Sequence, residues 1–425
     1  MKKTLGVCTL ILLGLSLLSC QSGPKTGPGD WPQFRGPDRN GKSAETGLLK
    51  EWPENGPEKL WMVEGIGDGY STAIISSNTL YTTGMIDSLD YLTAFDLKGG
   101  RKWQVPYGRG WRKSWPGVRI SPTVEDDRIY LISGMGEISC LDASSGETIW
   151  SVDAYTVYEG EYKIWGIAEN LLIVDDKLIY TPAGKKTTMV AMDKMTGETI
   201  WMSESIGDYT GYVSPILIEA GERQLVVNVT GNYVIGVDAG NGELLWKENY
   251  TALFPEDGPE WAPIINCNMP VYKDGGILVT SGYDHPAAMY SLAPDGGSVT
   301  LAWENEILDT HHGNVVVVDG YIYGSNWINN REGDWVCLEW ETGKVMYEAE
   351  WETKGSLTYA DGMLYCYEEK DGTVALVEAT PEAFNIISTF KNTAGRGPHW
   401  AHPVIHNGVL YIRHGDTLTA YKVKA

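Results

Sequence analysis

Ile138-Ser-Cys-Leu-Asp-Ala-Ser-Ser-Gly-Glu-Thr-Ile-Trp150 and Met189-Val-Ala-Met-Asp-Lys-Met-Thr-Gly-Glu-Thr-Ile-Trp201 are two copies of one phrase, and Tyr233-Val-Ile-Gly-Val-Asp-Ala-Gly-Asn-Gly-Glu-Leu-Leu-Trp246 is a third. Recurrence at about 40 to 50 residues is the signature of a solenoid, a propeller or an array. Outward from the phrase, each unit divides by alternation and punctuation into four short strands. A Pro-containing strand comes first, as in Ile120-Ser-Pro-Thr-Val124, and a second follows, as in Arg128-Ile-Tyr-Leu-Ile132. The third ends at Asp142 and the fourth carries Trp150. Four short antiparallel strands per unit make a propeller blade.

With the terminal aromatic as marker, units end at Trp103, Trp150, Trp201, Trp246, Trp303, Tyr347 and Phe390. Three more strands follow, at His402–Ile405, Val409–Ile412 and Thr417–Tyr421, without a fourth. Lys59-Leu-Trp-Met62, near the other end, supplies it, so the chain predicts an all-β, eight-bladed propeller whose termini close one blade and remove its exposed edges. Gly146, Gly197 and Gly242 stand where a tight turn needs positive φ. Seventeen Trp against five Phe suit a girdle of aromatics between blades. Cys140 and Cys337 sit where other copies carry Ala94 and Ala191 and read as small core fillers.

Before the repeats, Lys2 and Lys3 precede an apolar run from Leu5 to Leu18, too short for a comfortable bilayer span, and then Ser19-Cys20. Residues 1–19 read as an export signal, residues 20–30 as a Gly- and Pro-rich tether, and residues 31–425 as one propeller domain. Leu17-Leu-Ser-Cys20 resembles the lipobox of bacterial lipoproteins, which implies acylation (palmitate among the chains) on Cys20. Gln21 after it is similar to lipoproteins sorted to the outer membrane, with the periplasmic or surface face left open. A formal charge of −23 makes nucleic acid an unfavourable partner.

Ala191-Met-Asp193, Thr196-Gly197 and Trp201 resemble the tryptophan-docking repeat of the pyrroloquinoline-quinone (PQQ) propeller superfamily, and the resemblance runs from about Trp31 to the C-terminus. The opening Trp31-Pro-Gln-Phe-Arg-Gly-Pro-Asp38 with Asn40-Gly41 is similar to the start of many bacterial PQQ-binding-like propellers. One branch of the superfamily, the quinoprotein dehydrogenases, implies PQQ with Ca²⁺ held by Glu and Asn oxygens. Here Glu169, Asn170, Asn266 and Asn268 are the available donors, outside a recognisable copy of the enzyme motif, and no Cys-Cys pair exists. The other branch is cofactor-free and includes the lipoprotein of the outer-membrane β-barrel assembly machinery. No P-loop, zinc signature, dinucleotide fingerprint or Ser-His-Asp order appears.

Ligands of propellers sit where the loops before the innermost strands gather around the channel. In those loops Arg119, Trp165, Asn170, Tyr212, Asn268, His312, His399 and Trp400 are the candidate funnel, the Trp rings for stacking and Arg119 for an anion. The competing reading has the Trp residues plug the channel, Arg119 pair with a carboxylate and the His side chains cap loop carbonyls. No metal is assigned, because adjacent histidines on a strand, His311 and His312 here, point to opposite faces. Insertions at Phe254–Trp261 and Ser325–Asp334 lengthen two units and are places for recognition.

The sequence therefore favours an exported, lipid-anchored binding or assembly platform at the cell envelope, with a membrane partner through Cys20 and a protein, small-molecule or glycan ligand at the propeller face. It weighs against an enzyme; the alternatives are a PQQ-dependent oxidation of an alcohol or sugar, and glycan binding in polysaccharide use.

Overall fold

A computed structural model describes residues 29–254 and 265–424. The export signal, Cys20, most of the tether and most of the acidic stretch 254–261 lie outside the described residues. Eight antiparallel blades of four strands each form the ring, and in blades 1 to 7 these four strands follow the chain from innermost to outermost. Blade 1 starts at Ile74–Ser76 and ends at Arg101–Arg109; blade 2 runs from Thr123–Glu125 to Thr148–Asp153. Blade 3 runs from Leu172–Val174 to Thr199–Met202, blade 4 from Ile216–Ala220 to Leu244–Asn249, and blade 5 from Val271–Lys273 to Val299–Asn305. Blade 6 runs from Val316–Val318 to Val345–Ala349 and blade 7 from Gly355–Ala360 to Ile386–Lys391. Blade 8 takes three strands from Val404–Lys422, and its outermost strand is Glu58–Glu64, paired antiparallel with Thr417–Lys422. The seam expected at Trp61 is where the ring closes. Among the described residues no helix is long and apolar enough to cross a membrane.

The repeat phrase builds one device many times. In seven outermost strands the ladder slips by a residue just before the aromatic, at Trp61, Trp103, Trp150, Trp201, Trp246, Trp303 and Tyr347. Such a bulge re-aims the side chain that follows it. The ring opposite usually meets a small partner: Ala94, Ala191, Gly236, Cys140 or Cys337. It then reaches the next blade, where its indole N–H donates to a turn carbonyl: Trp150 to Lys194 and Trp201 to Ala239, each at 3.1 Å. Trp61 closes the circle on Leu97 of blade 1 at 3.0 Å. Blade 7 departs from the expectation. Its slip comes at Ile387, so Ser388 occupies the aromatic's register and Phe390 falls two residues later. Phe390 instead packs edge-on to Trp52, at 4.9 Å, and Ser388 accepts the Trp52 backbone N–H.

One segment outside the repeats organises the channel. Trp31 exchanges both backbone hydrogen bonds with Ile75 of blade 1, and Pro32 accepts from Val124 of blade 2. Arg39 donates to Gln33 and to the carbonyls of Asn170, Leu171 and Pro215, at the starts of blades 3 and 4. Arg35 donates to the carbonyls of Asn40 and of Val315, before blade 6, and lies 3.5 Å from His402, before blade 8. Lys42–Ser43 then adds a fifth, parallel strand to blade 7. Both guanidinium groups are buried, and their hydrogen bonds to carbonyls offset part of a desolvation cost that would otherwise exclude them from the interior.

Candidate functional site

On the face where the innermost strands begin, a cavity of about 940 Å³ opens. Two sets of loops line it: those joining one blade to the next, and those between second and third strands, which supply Asn330, Arg331, Glu369 and Lys370. Phe34 of the channel segment also faces it. Of the eight residues picked from the sequence, Arg119, Trp165, Asn170, Tyr212, His312 and Trp400 line the cavity. Asn268 and His399 do not. Asn268 ties down the neighbouring loop, its amide donating to the Thr310 and His311 carbonyls and its oxygen accepting from the Asn314 N–H. His399 stacks on His414, ring centroids 3.5 Å apart, and is hydrogen-bonded to the Tyr367 hydroxyl.

The lining is aromatic with a cationic bias. Trp400 is a hub, 4.8 Å from the Tyr70 ring, 5.0 Å from Trp115 and 4.8 Å from His312. Trp165 meets Tyr212 edge-on at 5.4 Å. Among the described residues Arg119 pairs with no carboxylate. It donates to the Gly117 and Trp115 carbonyls, at 3.2 and 2.7 Å, and lies 5.7 Å from the centre of the Tyr70 ring. Among the described lining residues Arg331 and Lys370 join it against one carboxylate, Glu369, in a chain with a strong negative excess. Burial raises the Glu369 carboxyl, and Lys354, 3.0 Å away, opposes that shift. Sequence reasoning overlooked Trp115, Tyr283 and Glu369; the first lies in a loop it had credited to Arg119, and the other two lie between the second and third strands of blades 5 and 7, a kind of loop it had considered only at Ser325–Asp334.

The histidines correct an expectation. Residues 311–312 lie in an irregular loop that bends at 312–313 and not in a strand, so period-two alternation does not separate them. Their rings lie side by side, centroids 3.9 Å apart, and both line the cavity. Burial, and then the nearby Lys354 charge, lowers His311 to about 3, and burial holds His312 well below the ordinary value. Both imidazoles are neutral near pH 7.

The oxygen donors implied for PQQ-bound Ca²⁺ do not fit that group. Glu169 gives both carboxylate oxygens to Thr181. Asn170 accepts from the Ser121 N–H and donates to Ser214, stitching blades 2, 3 and 4 together. The Asn266 amide donates to the Thr230 and Gly231 carbonyls. Of the four donors only Asn170 lines the cavity, and the Glu169, Asn170 and Asn268 oxygens are already taken by Thr181, Ser121 and Asn314, so no step is derived through the quinone.

Buried acids and histidines set opposite pH slopes. Burial raises Glu169 from 4.5 to about 8 and Asp309 from 3.8 to about 8, so their stabilising contribution is complete below the ordinary carboxylate range and is lost as pH rises through 8. Burial lowers His311, His399 and His402 from 6.5 to about 3, so theirs is complete above 6.5 and is lost as pH falls toward 3. Only the carboxyl slope acts between pH 6.5 and 8, where the melting temperature should fall as pH rises. Glu169→Gln should flatten that limb in a series of thermal melts, and an unchanged slope refutes the assignment.

The family whose description is "Outer membrane protein assembly factor BamB" matches residues 88–331. A protein of that description from Moranella endobia (strain PCIT) is 22% identical over 304 residues, spanning 70% of this chain and 72% of the relative. The crystal structure of BamB from Moraxella catarrhalis superposes with a TM-score of 0.61 at 16% identity, covering 86% of this chain and 98% of that one. A europium-containing methanol dehydrogenase reaches 0.70 at 13% identity, covering 92% of this chain and 90% of its own. At such identities the structural likenesses speak for the propeller fold alone.

Proposed function

From the premise that the chain belongs to the family of the outer membrane protein assembly factor BamB, we propose that it is an exported, lipid-anchored platform that holds a protein partner during assembly at the outer membrane. The observation that carries this reading beyond the family is the mouth of the cavity. Trp115 and Ile164 line it and yet are 53% and 48% exposed, and Ile328, on the insertion within blade 6, is 51% exposed. Large apolar side chains left open around a concave face, with basic groups between them, are what a partner's anchor residues require. The channel segment supports the role by filling the ring from within, so that the open face is backed by a packed interior. Cys20 and the tether would set the platform at a membrane surface, several acyl chains on one residue making a stable anchor.

The test is depletion and complementation in the native cell. Loss of the chain should lower the level of outer-membrane β-barrel proteins; the wild type should restore it, and Trp115→Ala/Ile164→Ser and Cys20→Ala should not. Unchanged β-barrel levels on depletion would overturn the platform reading.

A further inference from the structure

We propose that His311, His312 and Glu369 form a binding site for a divalent first-row transition metal of the Zn²⁺ class, its open side on the central cavity. Among the described residues, these three each offer a ligand atom within 4.8 Å of the other two. Glu369 Oε2 lies 3.9 Å from His312 Nδ1, a separation at which one ion can touch both. Two imidazoles and a carboxylate are borderline donors that suit Zn²⁺ and its neighbours better than the hard, all-oxygen set of Ca²⁺ or Mg²⁺.

A second observation is independent of that convergence. Among the described residues His311 Nδ1 is buried and has no hydrogen-bond partner. Buried polar nitrogens of this kind are rare, because each loses its water without replacement. Around the cluster, outer contacts already hold His311 and Glu369 in place. The Tyr283 hydroxyl sits 2.8 Å from His311 Nε2, which leaves Nδ1 as the free nitrogen of that ring. Lys354, itself held by the Asn329 carbonyl at 2.8 Å, takes Glu369 Oε1 at 3.0 Å, and Oε2 lies on the side of His312. Asn268 fixes the His311 carbonyl from behind. Partners that orient ligands in this way are a regular part of metal sites.

Three protein ligands leave a coordination position vacant, and His311, His312 and Glu369 all line the cavity from which it can be filled. An ion held there would accept an oxygen- or nitrogen-bearing group from whatever enters the cup. This inference does not depend on the platform reading.

The experiment is equilibrium dialysis and titration calorimetry of the purified chain with Zn²⁺, and visible spectroscopy with Co²⁺ as its substitute. One ion per chain is expected, with the intense visible bands of four- or five-coordinate Co²⁺. His311→Ala and Glu369→Gln should each weaken binding by at least about 10- to 100-fold, the loss typical of outer partners alone. His406→Gln, on the innermost strand of blade 8, should bind as the wild type does. Tyr283→Phe keeps the ring packing and should weaken binding about tenfold, which guards against a ligand variant that does not fold. No stoichiometric ion on the wild type, several weak ions on the acidic surface, or equal affinity in His311→Ala, Glu369→Gln and Tyr283→Phe would each overturn the proposal.

Discussion

Arg39→Ala is expected to destabilise the protein by about 3–5 kcal/mol and to lower its melting temperature by roughly 5–10 °C. The Arg39 guanidinium meets the carbonyls of Asn170 at 3.2 Å and Pro215 at 2.9 Å, the Leu171 carbonyl, and the Gln33 side chain at 2.9 Å. All of these groups are buried, and an alanine gives them neither a donor nor room for ordered solvent. Arg39→Lys should recover little, because one ammonium on a flexible stem cannot reach three diverging carbonyls from one plane. Lys98→Ala, at an exposed position of blade 1, is the control and should move the melt by less than about 0.5 kcal/mol. Thermal and denaturant unfolding of the four proteins checks this, and a loss below 1 kcal/mol for Arg39→Ala would remove the channel segment from the list of elements that hold the ring. A loss of blade-to-blade cooperativity would be visible as a broadened transition, since the segment bonds blades that are not neighbours in the chain.

That segment marks a limit of sequence reading. The blades were legible because a period of side chains repeats: the Asp, Gly and Trp of each phrase recur at fixed offsets, and the strand near Trp61 was placed by simple subtraction. Trp31–Gly41 has no second copy, and its two arginines bond to backbone carbonyls, which any residue type supplies. Nothing in the composition of blades 3, 4 or 6 announces such contacts. Blade 7 was misread for a related reason. An aromatic at Phe390 satisfies the pattern by eye, whereas the register depends on where one residue bulges out of the ladder.

At the site, the same distinction separates what was legible from what was not. Arg119, Trp165 and Trp400 were found because a propeller's topology sends the loops that carry them to the channel mouth. Their roles were not, since whether Arg119 faces an anion or two carbonyls is decided by the path of a few loop residues around Trp115. The His311–His312 pair was dismissed on an alternation that holds only in strands. In an irregular loop, successive side chains can share a face, and here that places both rings against Glu369 from the next blade. The sequence distance of 57 residues or more between these groups hides a contact that the ring geometry makes local.

The Gly242–Trp201 pair should give the second large effect, and one that distinguishes two reasons for a glycine. Gly242 has φ of +79°, and a Cβ there would stand 2.5 Å from Cε3 of the Trp201 ring. Gly242→Ala therefore strains the backbone by about 1–2 kcal/mol and in addition displaces the ring, for a total near 3 kcal/mol. Gly240, two residues earlier in the same turn, has neither constraint, and Gly240→Ala should cost under about 1 kcal/mol. Trp201→Ala should cost about 3–5 kcal/mol, since the ring is buried between blades 3 and 4 and its N–H loses the Ala239 carbonyl. The informative measurement is the double variant Gly242→Ala/Trp201→Ala. With the indole gone the alanine has space, so the steric part vanishes while the backbone part stays, and the combined loss should fall short of the sum by about 1–2 kcal/mol. Strict additivity would mean that the glycine serves the turn alone and that the close approach of the ring is incidental. Because Gly146 and Trp103, Gly197 and Trp150, and Gly343 and Trp303 stand in the same relation, the result would hold for the joints between four pairs of blades at once.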